Sequence, residues 1–227
     1  MTKQALRRKK RIDEILASAI AAFRRDGYHG TSMEQIADQL LMTKGSLYYY
    51  FEDKEEILFA AHDRALDRIL GDLEEVRRRG GCACEQLENL ATAHIRIMVE
   101  GFHGTALALE FGALSPKRLQ RIVSKRDAYE AGVRALIERG EREGCFRPVD
   151  PKMSSMALLG AINWLARWYR PGGAMGAEEI SRRFLDLFLG GLGPRPVSWD
   201  RGRHKRTAAA ARSLPAGTIA AAGRRRS

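Results

Sequence analysis

Between Thr31 and Lys54 the chain sets short hydroxyls, two lysines, a glycine and three tyrosines at spacings suited to contact with a polyanion. Thr31 or Ser32 can accept hydrogen bonds from the exposed amides that open a short helix, whose apolar positions Met33, Ile36, Ala37 and Leu40 follow helical spacing. Leu41 and Met42 make a turn, and Thr43 caps a second short helix. Two short helices joined in this way form a DNA-reading device, because the N-terminal end of the second enters the major groove. Lys44, Gly45 and Ser46 would then face the duplex, with Gly45 leaving nothing bulky between backbone and DNA. Tyr48, Tyr49 and Tyr50 would carry hydroxyls to phosphate oxygens or base edges, while Leu47 and Phe51 return to the core.

The elements that must hold this device are all helical; no strand-like alternation is present. A first helix from about Arg8 to Asp26 buries Ile12, Ile15, Leu16, Ala19 and Phe23 and stops at Gly27, which suits a left-handed C-terminal position. Asp53 caps a long helix running towards Arg79, and Gly80-Gly81 ends it. Further helices are predicted near 84–102, 105–112, 116–143, 151–169 and 177–190, separated by glycine and proline punctuation. Pro116 and Pro151 fit first-turn positions after Ser115 and Asp150. The predicted fold is all-α: an N-terminal three-helix helix-turn-helix domain over 8–70, a helical ligand-binding and dimerisation domain over 72–192, and a basic tail over 193–227. The tail's Pro, Gly, Ala and Arg content predicts disorder.

Composition narrows the function classes. The formal charge is +11 in 227 residues. The excess sits at the two ends, in Lys3, Arg7, Arg8, Lys9, Lys10 and Arg11 and again after residue 193, while the body is slightly acidic. Basic ends attract polyanions without sequence specificity, and they also serve simply as solvated, solubilising segments. No stretch reaches the roughly 20 apolar residues of a membrane span, and the N-terminus lacks the pattern of a signal peptide, so a cytoplasmic protein without membrane contact is expected. Three cysteines, Cys82, Cys84 and Cys145, are expected as reduced thiols. The Cys-x-Cys spacing is not that of a common zinc motif, so no metal is expected. No nucleophile elbow, phosphate loop or ordered acid–base pair is present, which argues against an enzyme.

The run Gly45-Ser46-Leu47-Tyr48-Tyr49-Tyr50-Phe51 followed by Asp53-Lys54-Glu55-Glu56-Ile57-Leu58 resembles the TetR family of one-component transcriptional regulators. The resemblance covers about Arg8 to Leu70. It implies that Lys54 lies against the DNA backbone, that the long fourth helix connects reading head to ligand domain, and that the last two helices of two subunits form a four-helix dimer interface. Those helices carry wide apolar faces, on which Trp164, Trp168, Ile180, Phe184 and Phe188 are the expected interface residues. The implied function is that of a homodimeric repressor released from a palindromic operator by a small-molecule inducer.

Asn163-Trp164-Leu165-Ala166-Arg167-Trp168-Tyr169-Arg170-Pro171-Gly172-Gly173 is similar to a signature of TetR-type repressors of fatty-acid, steroid and aromatic-acid breakdown that respond to acyl-coenzyme A. Arg167 and Arg170 would meet phosphates, and Trp168 and Tyr169 would offer planar surfaces to adenine. A helix cap and a turn would also account for the motif. His94, Met98, Phe102 and Phe111 are candidates for an apolar pocket wall. No bound cofactor is expected beyond this acyl-CoA effector. Two other readings are a TetR-type repressor of an efflux system induced by a lipophilic compound, and a non-specific architectural DNA-binding protein.

Overall fold

The computed structural model describes residues 2–99, 112–169 and 173–192, and among these every regular element is an α-helix. We number them α1 Lys3–Asp26, α2 Met33–Gln39, α3 Lys44–Tyr48, α4 Lys54–Arg79, α5 Ala83–Val99, α6 Pro116–Arg142, α7 Pro151–Trp168 and α8 Ala177–Leu192. The helix expected near 105–112 lies outside the described residues, as does the tail.

The first helix starts five residues before its expected Arg8, at Lys3, with Thr2 as N-cap. Its first buried residue is Ile15, so the basic turns before it stand exposed. The remainder packs Ile15, Leu16, Ala19, Ile20 and Phe23 against α2 and α4. Gly27 ends the helix at φ 78°, a backbone region that a side chain disfavours.

Helix α4 is one unbroken rod of 26 residues. Ile57, Leu58 and Ala61 near its start pack into the N-terminal core, whereas Leu66, Ile69, Leu73 and Val76 pack among α5 and α6. A continuous helix therefore crosses from the reading domain into the second helical layer, and the two share one core. The contact is close where Gly132 on α6 meets the Leu73 side chain, which fills the space that a Cβ would need. A second strap runs from α1 to α7, where Arg24 donates to the Ala166 carbonyl at 3.4 Å.

Candidate functional site

The reading head is built by three side-chain caps. Ser32, not Thr31, opens α2: its hydroxyl accepts from the Gln35 amide at 3.2 Å, and the Gln35 side chain accepts from the Ser32 amide at 2.7 Å, a complete capping box. Thr43 caps α3 by accepting from the Ser46 amide at 3.1 Å, and Asp53 caps α4 by accepting from the Glu56 amide at 2.6 Å. Between α2 and α3, Leu41 takes a positive φ of 50° and points into solvent. Its amide and that of Met42 donate to the last carbonyls of α2, which holds the turn tight.

These caps leave Thr43, Lys44, Gly45, Ser46, Tyr48 and Tyr49 exposed along one short helix and its end, while Leu47 and Phe51 are buried beneath it. Nothing lies within 4 Å of where a Gly45 Cβ would project. Tyr49 is 74% exposed, and Tyr50, half-buried, supports it through an edge-to-face contact with centroids 5.1 Å apart. Lys44 is paired with Glu34 of α2 and lies 5.8 Å from the Tyr48 ring centroid.

Two residues expected at the DNA face are placed otherwise. Thr31 is 2% exposed, and its hydroxyl donates to the Gly27 carbonyl at 2.9 Å, closing the α1–α2 turn. The Lys54 ammonium turns inward, donating to the carbonyls of Tyr28 at 2.7 Å and Thr31 at 2.8 Å and lying 4.4 Å over the Tyr28 ring. In this conformation it clamps the α1–α2 loop onto α4. A lysine in a first helical turn looks free in sequence, and only the fold brings the two carbonyls to it.

The second site is a cleft of about 420 Å³ among α4, α5, α6 and α7, a size within the range of small-molecule sites. Leu66, Ile69 and Leu159 give it apolar walls; His94, Tyr129 and Asn163 give it a polar side. Arg126, Asp127 and Lys152 also border it. His94 is buried, and its Nδ1 lies 3.3 Å from the Tyr129 hydroxyl, the rings meeting edge to face. Burial lowers the His94 pKa to about 4, so the ring is neutral at pH 7, and burial followed by the nearby Asp72 charge raises that of Tyr129.

Among the described residues, His94 is the one expected pocket residue that borders this cleft. Met98 is buried in the core one turn along α5, and Phe102, Phe111 and Arg170 lie outside the described residues. Arg167 is exposed, 5.8 Å from the Trp164 ring centroid; Trp168 is 44% exposed, and Tyr169 packs half-buried on the core. Of the described part of the motif, Asn163 borders the cleft, whereas Arg167, Trp168 and Tyr169 are not among its described lining residues. Periodicity had no means of finding Arg126, Lys152 or Asn163, since it sorts buried from exposed positions and does not say which helices converge.

The apolar faces of α7 and α8 divide in two. Ile180, expected at an interface between subunits, is buried within its own chain. Phe184 and Phe188 are half-buried, while Met153, Met156, Trp164, Trp168 and Leu187 stand exposed. Among the described residues no cluster of three or more His, Cys, Asp or Glu side chains could hold a metal, and no helix is long and apolar enough to cross a membrane.

A capped helix-turn-helix, joined by one continuous helix to a helical domain with its own cleft, defines a one-component transcriptional regulator. Residues 15–61 match the model of the bacterial regulatory proteins of the tetR family, and residues 80–192 match a tetracyclin repressor-like C-terminal domain. The chain belongs to the TetR family and is a DNA-binding transcriptional regulator. It is 27% identical over 189 residues to the transcriptional repressor KstR2 of Mycolicibacterium smegmatis, covering 80% of this chain and 90% of that one. The crystal structure of the TetR family regulator PfmR from Thermus thermophilus superposes with a TM-score of 0.72 at 34% identity, covering 78% of this chain and 98% of PfmR. AibR, in its complex with isovaleryl coenzyme A and operator DNA, superposes with a TM-score of 0.69 at 26% identity, covering 81% and 98%. These relatives are transcriptional regulators, which are not enzymes.

Proposed function

We propose that this regulator is a homodimeric repressor whose hold on a palindromic operator is released when the acyl part of a coenzyme A thioester enters the cleft among α4 to α7. The observation that carries this reading is the continuity of α4: its first turn positions the reading head, and Leu66 and Ile69, farther along, wall the cleft. An occupant there pushes on the same rod that sets the head. AibR, a relative by fold and sequence, is known in complex with both isovaleryl coenzyme A and operator DNA, which favours a thioester effector over a lipophilic inducer of efflux. The chain acts by binding and not by catalysis.

Lys44, Gly45, Ser46, Tyr48 and Tyr49 carry the contacts to the duplex, with Ser32 and Thr43 at the exposed helix starts beside them. The exposed apolar residues Met153, Met156, Trp164 and Leu187 cover one another across the dimer. Two heads then meet half-sites roughly one DNA turn apart, about 34 to 36 Å.

Fluorescence anisotropy on an operator found by selection from random DNA tests the whole reading. Acyl-CoA should release the protein, and linkage then requires operator DNA to weaken acyl-CoA binding by the same factor, typically about 5- to 150-fold. Tyr49→Ala should weaken operator binding more than binding to random DNA. Trp164→Glu with Leu187→Glu should give monomers by light scattering. A wild-type monomer at micromolar concentration refutes the dimer; release by a lipophilic drug but by no thioester refutes the effector.

A further inference from the structure

We infer that the exposed first two turns of α1, residues 3–10, are a cationic arm that lies along the DNA backbone outside the half-site read by α3 and grips phosphates there without regard to sequence. It rests on the reading of the chain as an operator-binding dimer, and adds a second contact surface to the reading head. Residues 3–10 are all exposed, and Lys3, Arg7, Arg8, Lys9 and Lys10 make most of that stretch cationic. Among the described residues none of these five side chains has an ion-pair or hydrogen-bond partner. The nearest acids along α1 are already engaged, Asp13 with Arg64 and Glu14 with Arg11.

The packing of α1 on α2 sets where the arm points. The two helices run antiparallel: Thr31 donates to the Gly27 carbonyl at 2.9 Å at one end, and Ser18 donates to the Gln39 side chain at 3.1 Å at the other. Residues before Ser18 therefore run past the end of α2, where the chain turns through Leu40 and Leu41 into the exposed start of α3. In a helix-turn-helix that start is the end that enters the major groove. From Ile15, the first buried residue of α1, back to Lys3 is about 18 Å at the helical rise. That is roughly the rise of five base pairs of duplex, so the arm reaches beyond the bases that α3 can read.

Beyond the Thr2 cap, little within the chain favours this stretch as a helix. It buries no apolar face. Lys3 and Arg7 four apart, and Arg7 and Lys10 three apart, repel one another. The first turn carries no acid to meet the positive end of the helix dipole. Phosphates alongside the arm reverse both charge effects, so a polyanion favours its helical form. A membrane surface is the poorer match, because Leu6 is the one large apolar side chain in the arm and a helix lying on a bilayer needs an apolar face.

The test uses the full-length protein, an operator selected from random DNA, and a variant with Lys3, Arg7, Arg8, Lys9 and Lys10 each changed to Gln, a good helix former. Thermal unfolding should be unchanged, since the arm buries nothing, and it reports that the variant is folded. With about two phosphate contacts per arm and four per dimer, the slope of log K against log salt should be smaller by about 3.6 in the variant. Between about 50 and 200 mM salt the wild type should then lose about 150-fold more affinity than the variant. The difference should require about five base pairs of arbitrary sequence beyond each half-site. Methylphosphonates in place of those flanking phosphates should weaken the wild type to the level of the variant and leave the variant unchanged. A variant that matches the wild type in slope and affinity on the flanked operator overturns the inference while leaving the dimeric repressor standing. So do methylphosphonates that weaken both proteins alike, because the arm would then act as a distant field and not as a contact. Loss of binding to phosphatidylglycerol vesicles in the variant, with its operator slope intact, also overturns it and assigns the arm to a membrane surface. If no operator can be selected, the proposed function falls and this inference with it.

Discussion

Replacing Lys54 with Met separates two roles that the same lysine could play. The substitution keeps most of the alkyl stem and removes the charge together with two hydrogen bonds, to Tyr28 O at 2.7 Å and Thr31 O at 2.8 Å. Hydrogen bonds to charged groups are worth about 1.5 to 3 kcal/mol when buried. Lys54 is half-buried and the freed carbonyls can be rehydrated, so about 1 kcal/mol each is the appropriate scale. Its contact with the Tyr28 ring adds about 0.5 kcal/mol, giving a loss of roughly 2 to 3 kcal/mol. For a chain of this size that lowers Tm by about 4 to 12 °C. Thermal unfolding should show this drop. Operator affinity should fall because the α1–α2 loop is no longer clamped, but the slope of log K against log salt should stay the same. A phosphate contact predicts the reverse: unchanged unfolding and a slope reduced by about 0.9. That second pattern would refute the clamp.

Ser32→Ala should cost about 1 kcal/mol by undoing the capping box, read as a lower Tm and weaker operator binding, whereas Thr31→Ser, which keeps the hydroxyl on Gly27 O, should be milder. Glu34→Gln should release Lys44 for DNA and remove a negative charge beside the duplex, raising affinity severalfold and steepening the salt dependence; unchanged affinity would place the pair away from the interface. His62 and His94 both have folded pKa values lowered to about 4, His62 by burial and then by the Arg126 charge, His94 by burial. As pH falls below 6.5 the unfolded chain takes up protons that the folded one refuses, so stability should decline down to about pH 4 and level off below it. Each histidine contributes on the order of 3 kcal/mol at most. Urea unfolding of His94→Phe should show a shallower decline over that range than wild type.

The all-helical fold and the reading head were legible because they rest on local chemistry. A Ser or Thr ahead of an apolar-periodic run, a glycine at a helix end and an aspartate before a charged first turn each act within four residues, and pattern reading works at that range. What the pattern left open was resolved by contacts from far along the chain. Thr31 and Ser32 were equivalent cap candidates until Thr31 met the Gly27 carbonyl and was buried. The wide apolar face of α8 could not be divided in sequence between inner core and outer surface, and Ile180 fell inside. His94 and Met98 share one face of α5, yet only His94 reaches a void, because Tyr129 and Asn163 come to it from other helices.

The arrangement of charge along α4 bears on how a ligand in the cleft could reach the head. Helix α6 holds α4 by a ladder: Arg118 to Glu55 at 3.2 Å and to Asp53 at 3.6 Å, Arg121 and Lys125 to Asp63 at 3.1 and 2.6 Å, and Lys125 to Asp67 at 2.5 Å. The Ser115 amide adds a hydrogen bond to Glu55 at 2.8 Å. Most of these pairs are partly exposed, and each such pair is worth about 0 to 1 kcal/mol. The ladder therefore fixes the register of α4 against α6 without locking it. Its rungs near the reading head cost little to break and remake in water, whereas the Leu73 and Gly132 contact deeper in the domain cannot shift without opening a void. A ligand that prefers one arrangement by about 1 to 3 kcal/mol, the usual scale of allosteric coupling, is enough to re-register the rungs. In the proposed release the deep contact would be the pivot, and the largest displacement would fall at the first turn of α4, beside the reading head.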